Sequence, residues 1–209
     1  MRTIIKDQHP LCLDHQPACQ DWDDFNRNQS ACYRQVGEVL RKEQAYLCCC
    51  CDSKIDKDKS LIEHLVPRSI KPRLIYDYSN LAVSCNGGAD ANRHCGHYRG
   101  NGYDAARFSS PHDPATARLF RYLSDGSVIP VNGLDGNGQA KANYMIELLN
   151  LNCPLLKGRR HSHAQGLIGT LGEAPDDEIL QWAGDCYLRP DANGALHEFF
   201  SVSREVLAR

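Results

Sequence analysis

No apolar run in the 209-residue chain approaches the ~18 residues that a membrane-spanning helix requires. The opening MRTIIKDQHPLC lacks the ~7–15-residue apolar stretch of a secretory signal. The expectation is a cytoplasmic protein with no membrane partner. Repeats and low-complexity segments are absent too. So is any excess of charge: the formal net charge is −2. Chains that hold nucleic acid by themselves usually carry surplus Lys and Arg against the phosphates. A near-neutral chain therefore needs either a local basic cluster or a partner's grip. Lys54, Lys57, Lys59, Arg68, Lys71 and Arg73 form one such cluster against Asp56, Asp58 and Glu63, although a solvated loop accounts equally well for the first three lysines. What remains, 42% hydrophobic and 24% charged, describes an ordinary globular chain able to bury a core as one domain or one and a half.

Cysteine is abundant, at eleven residues. The number is odd, Cys48 to Cys51 are contiguous, and no export signal precedes them. Metal thiolates in a reducing compartment fit this better than a disulfide scaffold. Cys48 and Cys51 form a Cys-x-x-Cys, answered downstream by Cys85 and Cys95. A Cys-x-x-Cys turn sets both sulfurs on one side of a tight loop, and structural zinc takes four ligands in a closed tetrahedron. Cys49 or Cys50 can substitute within the run. Nine residues, NGGADANRH, separate Cys85 from Cys95 and read as a flexible insertion. Cys12, Cys19, Cys32, Cys153 and Cys186 lack paired spacing and read as small hydrophobes or free thiols.

Residues 1–29, broken by Pro10 and Pro17, read as an extended arm anchored by Trp22 and Phe25. From Ser30, a fair N-cap, to about Ala45, the stripe Tyr33, Val36, Val39 and Leu40 predicts a helix. Leu61–Val66 and Ser79–Val83 read as short strands, and the segment after Cys95 as helical. A seam falls at 104–110. Beyond it, Ala117–Leu123 and Ser127–Val131 bracket Asp125-Gly126 as a hairpin, and 138–152 form a helix closed by Pro154. Lys157, Arg159, Arg160, His161 and His163 make a basic patch. A short helix runs from Pro175 through Trp182, and Ala195–Leu207 is amphipathic.

The strongest pattern is an ordered series. Glu63-His64 precedes Pro67, Asn80-Leu81 leads into Cys85, and His94 and His97 flank Cys95. At these residues the chain resembles the HNH (ββα-metal) nucleases. It most resembles the PtuB-type HNH proteins of Septu and retron anti-phage systems. That narrower likeness extends from MRTIIK…P through the Trp22 region, IEH…P, YDYSNL…SC and HCG…RGN to IELLNLN. The resemblance implies an α+β fold: a ββα-metal core with a four-cysteine zinc-knuckle pair, an N-terminal arm and helix, and a mainly helical C-terminal extension with one β-hairpin. The corresponding division is 1–45, 46–108 and 109–209.

It also implies roles. His64 takes the place of the family's first histidine, the general base. Glu63 is a candidate ligand of a catalytic divalent ion, Mg2+ or Mn2+. Asn80 fixes the loop so that a backbone carbonyl holds the His64 ring in its working tautomer, and Cys48, Cys51, Cys85 and Cys95 bind structural Zn2+. Family members carry Asn or His directly after the last cysteine, whereas this chain has Gly96. His97 is then the favoured last ion ligand, with His94 the alternative. Arg99 stands where the family has Lys and offers a fork to a phosphate. The implied partners are a PtuA-type ATPase, a DNA or RNA substrate and, in retron versions, a reverse transcriptase with its RNA–DNA product. The competing expectation is a zinc-knuckle adaptor that binds nucleic acid or protein and catalyses nothing.

Overall fold

The computed structural model describes residues 1–15 and 21–208. Pro17 and Cys19 lie outside the described residues. Among the described residues the fold is α+β, with seven α-helices and two small antiparallel sheets.

The N-terminal segment is more ordered than its prolines suggest. Met1 and Ile4 are buried, and Ile4 N–H donates to the Pro111 carbonyl at 2.9 Å. Helix α1 then spans Trp22–Asn28, started by Asp21, whose side chain accepts from Asp23 N–H. A second correction concerns Cys12 and Cys32. They form a disulfide, with Cα atoms 5.9 Å apart, and are not free thiols. Helix α2, Ser30–Glu43, follows the apolar stripe, with Val36 and Leu40 buried. Its N-cap is Gln29 without a side-chain bond, so Ser30 does not cap it. Just past its end, buried Gln44 donates to the carbonyls of Leu47 (2.9 Å) and Val83 (2.8 Å) and accepts from Val83 N–H at 2.6 Å. One amide thus serves as a stretch of strand, satisfying backbone groups that burial would otherwise leave unpaired.

Strands β1 (Ser60–His64) and β2 (Leu81–Cys85) form the central antiparallel hairpin, with Glu63 opposite Ala82 and His64 opposite Leu81. Helix α3, Cys95–Arg99, packs against β2. The insertion between Cys85 and Cys95 is a compact turn, with His94 N–H donating to the Gly87 carbonyl at 2.8 Å. Gly87 and Gly88 have φ of 64° and 67°, and a Cβ on either would run into the carbonyl of His94 or Asn92. Only glycine fits there.

The remaining chain braces this core. Strands β3 (Phe120–Tyr122) and β4 (Val128–Pro130) form the second hairpin around Gly126. Helices α4 (Gly136–Leu148), α5 (Pro154–Leu171), α6 (Asp177–Leu188) and α7 (Phe200–Leu207) follow. Pro154 opens α5 at its first turn, a position where proline's missing N–H costs nothing. The segment read from sequence as a basic patch lies on this eighteen-residue helix. Cys95 N–H donates to the Leu149 carbonyl (2.9 Å) and Asn150 Nδ2 to the Arg93 carbonyl (2.8 Å), so the α4–α5 junction clamps the start of α3. Backbone bonds also join Leu196 to Ala45 (3.1 Å) and Phe199 to Asp52 (2.9 Å).

Candidate active site and metal centre

Side chains alternate along a strand, so Glu63 and His64 leave β1 on opposite faces. Each meets a different environment.

His64 shares its face with Ile62. Its Nε2 lies 2.9 Å from the Ile75 carbonyl, so that nitrogen carries the hydrogen and donates it. The loop bearing Ile75 is fixed by Asn80. Its Oδ1 accepts from Val66 N–H (2.7 Å), and its Nδ2 donates to the carbonyls of Val66 (3.1 Å) and Leu74 (3.2 Å). The Trp22 ring packs edge-on to His64 at 4.6 Å between centroids and belongs to an aromatic group with Phe25, Tyr33 and Tyr76. Ion pairs from Arg68 to Asp21 (3.5 Å) and Asp23 (3.9 Å) tie α1 over this face. His64 is 8% exposed. Burial pulls its pKa from 6.5 down to about 4; the Ile75 carbonyl opposes the fall, and the charges of Arg68 and Arg99 add to it. The ring is neutral at pH 7.

Glu63 shares its face with Ala82 and Ser84. Ser84 Oγ donates to Glu63 Oε1 at 2.7 Å, reaching diagonally across the hairpin. The carboxylate occupies the space a side chain at position 96 would need, because a Cβ built on Gly96 overlaps it. A side chain at position 96 would have to displace the Glu63 carboxylate. Glu63 and Gly96 line a cavity of about 10 Å³ with Cys49, Cys50 and Arg99. Arg99 is turned inward: its Nη2 donates to the carbonyls of His64 (2.8 Å) and Leu65 (2.9 Å), and it lies against Phe108. It latches α3 to the hairpin and offers no fork to solvent. His97 is exposed on α3, and among the described residues no hydrogen bond joins it to Glu63 or His64.

His94 belongs to the cysteines. Its Nε2 lies 3.6 Å from Cys85 Sγ, and its Nδ1 lies 2.7 Å from the Asn92 carbonyl. Burial disfavours its charged form, but hydrogen bonding to Cys51 and to Asn92 outweighs that and raises its pKa.

The sulfurs of Cys48, Cys51, Cys85 and Cys95 all lie within 4.8 Å of one another and are buried. A tetrahedral ion at ~2.3 Å from each sulfur requires sulfur–sulfur edges of roughly 3.8 Å. The Cys48–Cys95 and Cys51–Cys85 separations are 3.8 and 3.7 Å. The donor set fits one zinc-sized ion. Cys48 also accepts from the backbone N–H groups of Cys50 (3.5 Å) and Cys85 (3.3 Å), as a thiolate in a knuckle does. Four thiolates around a divalent ion leave a net charge of −2. Arg160 is buried, and thiolate charge at Cys51 and Cys95 would offset part of its desolvation.

No family model matches the chain. A curated protein of Vibrio cholerae serotype O1 biovar El Tor, "Retron Vc95 putative HNH endonuclease", is 29% identical over 136 residues. The similarity is to an HNH endonuclease. It covers 64% of this chain and 65% of the relative, less than two thirds of that protein's length. The fold is α+β, and its four-sulfur cluster could hold a metal ion, as the similarity to an HNH endonuclease would require. Sequence reasoning missed Ser84 and Gln44, and it read Trp22 as an anchor of the N-terminal arm without its contact to His64. Ser84 had a signal, since it lies two positions from Ala82 on the Glu63 face. Trp22 over His64 had none, because that contact joins residues separated by the whole of α2 and the knuckle.

Proposed function

We propose that the chain is a metal-dependent HNH endonuclease hydrolysing phosphodiester bonds of nucleic acid. The observation that carries the reading is the state of His64: a neutral imidazole whose Nε2–H is committed to a carbonyl, leaving the Nδ1 lone pair as the basic site. Abstracting a proton from water needs a ring in that state. Asn80 is a positioning residue, acting through the 66–75 loop. Glu63 and, by sequence position, His97 would hold Mg2+ or Mn2+, with His94 engaged instead at the thiolates. When bound, the ion stabilises charge on the phosphate and the departing oxygen. Arg99 maintains the hairpin–helix geometry. The division at residues 45 and 108 belongs to the same reading.

A PtuA-type ATPase and, in a retron setting, a reverse transcriptase with its RNA–DNA product are the proposed partners in anti-phage defence. The retron origin of the similar Vibrio protein supports the second. The net charge of −2 supports recruitment, so the purified chain alone should cleave poorly.

The burial of His64 beneath Trp22 favours a second reading, a non-catalytic zinc-knuckle adaptor in which the imidazole is a packing group. One comparison separates them: nicking by the chain with its ATPase, in Mg2+ or Mn2+, for wild type and His64→Ala. Loss of nicking in the variant supports the nuclease. Equal nicking removes it.

A further inference from the structure

The four-sulfur centre leaves two thiols unused. Cys49 and Cys50 are both buried, and their sulfurs lie 3.4 Å apart. With Cys48 they form a second set of three sulfurs, all within 4.8 Å of one another. The two sets share one atom, Cys48 Sγ. We propose that Cys48, Cys49 and Cys50 hold a second soft metal ion, bridged through the Cys48 sulfur to the ion in the tetrathiolate.

Three observations carry this. The first is geometric. An ion at ~2.3 Å from two sulfurs that are 3.4 Å apart subtends an angle of about 95°, within the reach of a distorted tetrahedral or a pyramidal thiolate site. The backbone holds that geometry, with Cys49 N–H donating to the Val83 carbonyl at 3.0 Å.

The second is Arg2. It is 8% exposed, and its Nε and Nη2 find no hydrogen-bond acceptor among the described residues. The nearest carboxylate, Asp52, stands at 4.0 Å. Asp52 is the main charge acting on Arg2, and Cys49 and Cys48 follow. A buried guanidinium with unpaired N–H groups calls for negative charge beside it. Once an ion is loaded, thiolates at Cys48 and Cys49 would stand beside it and add to the charge of Asp52. Two divalent ions on six thiolates carry the same net −2 as one ion on four, so the second ion adds no charge for the core to absorb.

The third is room. Cys49 and Cys50 line the cavity of about 10 Å³ that Glu63 also reaches, enough for about one water-sized ligand to complete the shell.

Thiolate donors select Zn2+, Cd2+ or Cu+ over the hard ions proposed for phosphodiester chemistry. Loading a divalent ion releases two protons to solvent, one each from Cys49 and Cys50, with Cys48 already a thiolate in the first site. The proposal does not depend on nuclease activity, and its test does not read activity.

The test is a metal count on the full-length chain. The purified protein is exchanged into Cd2+, and bound metal is measured by native mass spectrometry and elemental analysis. With excess Mg2+ present to keep cadmium off the hard-ion site proposed at Glu63, the expectation is two equivalents for wild type and one for Cys49→Ser/Cys50→Ser, with a matching fall in sulfur-to-cadmium charge-transfer absorbance. One equivalent or none in wild type overturns the proposal, as does a double variant that retains two. Should the double variant fail to fold, Co2+ substitution of wild type decides. A thiolate-bridged pair shows magnetically coupled cobalt, and two uncoupled ions refute the bridge.

Discussion

Asn80→Ala is the sharpest probe of how the candidate base is held. Asn80 is 5% exposed, and its amide makes three hydrogen bonds, two with Val66 and one with Leu74. Truncation leaves one buried N–H and two carbonyls without those partners. Each stranded group costs ~1–3 kcal/mol. With partial rehydration of the loop, the expected loss is about 3 kcal/mol, a large share of a small domain's stability. The functional consequence follows through one peptide unit. Leu74 adjoins Ile75, whose carbonyl fixes the His64 ring at 2.9 Å. With the loop released, His64 should exchange between both neutral tautomers. Urea denaturation at pH 7 measures the first effect, and imidazole 15N shifts measure the second. A variant that loses less than about 1 kcal/mol and keeps a single Nε2–H tautomer would refute this account of Asn80.

Other perturbations address neighbouring parts. Gly96→Ala should destabilise by about 1 kcal/mol despite alanine's better helix propensity, because its Cβ displaces Glu63 from Ser84; in a Glu63→Ala background the same change should become neutral or stabilising, and thermal melts of the four proteins check it. His64 has its folded pKa depressed from 6.5 to about 4. Its contribution is thus complete above pH 6.5 and declines toward pH 4, as the unfolded chain takes up a proton that the folded one refuses. The fall reaches roughly 3 kcal/mol, and His64→Gln should remove that part of the acid sensitivity in urea titrations, whereas His163, also lowered to about 4, keeps its own share. Removing the Cys12–Cys32 link, which spans 20 residues, with a double serine variant should cost about 3 kcal/mol, and a change under about 0.5 would show that the unfolded state gains little freedom.

The central pieces were legible because they are written in local spacing. The Cys-x-x-Cys, the Glu63-His64 pair and the Asn80-Leu81 step each bring their residues together within one turn or one hairpin. The alternation of β1 also gave the opposed directions of Glu63 and His64. Helix α5 was hidden because the one face it buries, Leu156, Arg160, Ala164 and Leu167, carries a guanidinium where an apolar residue is expected, so PLLKGRRHSHAQGLIGTL shows no clean apolar stripe. Arg160 in particular reads as a surface charge until its carbonyl partners, Leu156 and Leu151, are known. The inward turn of Arg99 to the carbonyls of His64 and Leu65 was hidden for the same reason: a guanidinium's partners are set by the tertiary fold. Cys12 and Cys32 gave no signal, since a pairing across α1 has no characteristic spacing.

The seal over the first knuckle also sets a timetable for synthesis. Asp52 receives the Ser201 backbone N–H at 3.2 Å across 149 residues of sequence. At the ~5–20 residues per second of translation, the C-terminal cap reaches the thiols roughly 7–30 s after they leave the ribosome. During that interval the sulfurs stand open to solvent, to oxidants and to whichever ion arrives first. Metal supply while the chain is being made, more than affinity in the finished protein, would then determine what the cluster contains.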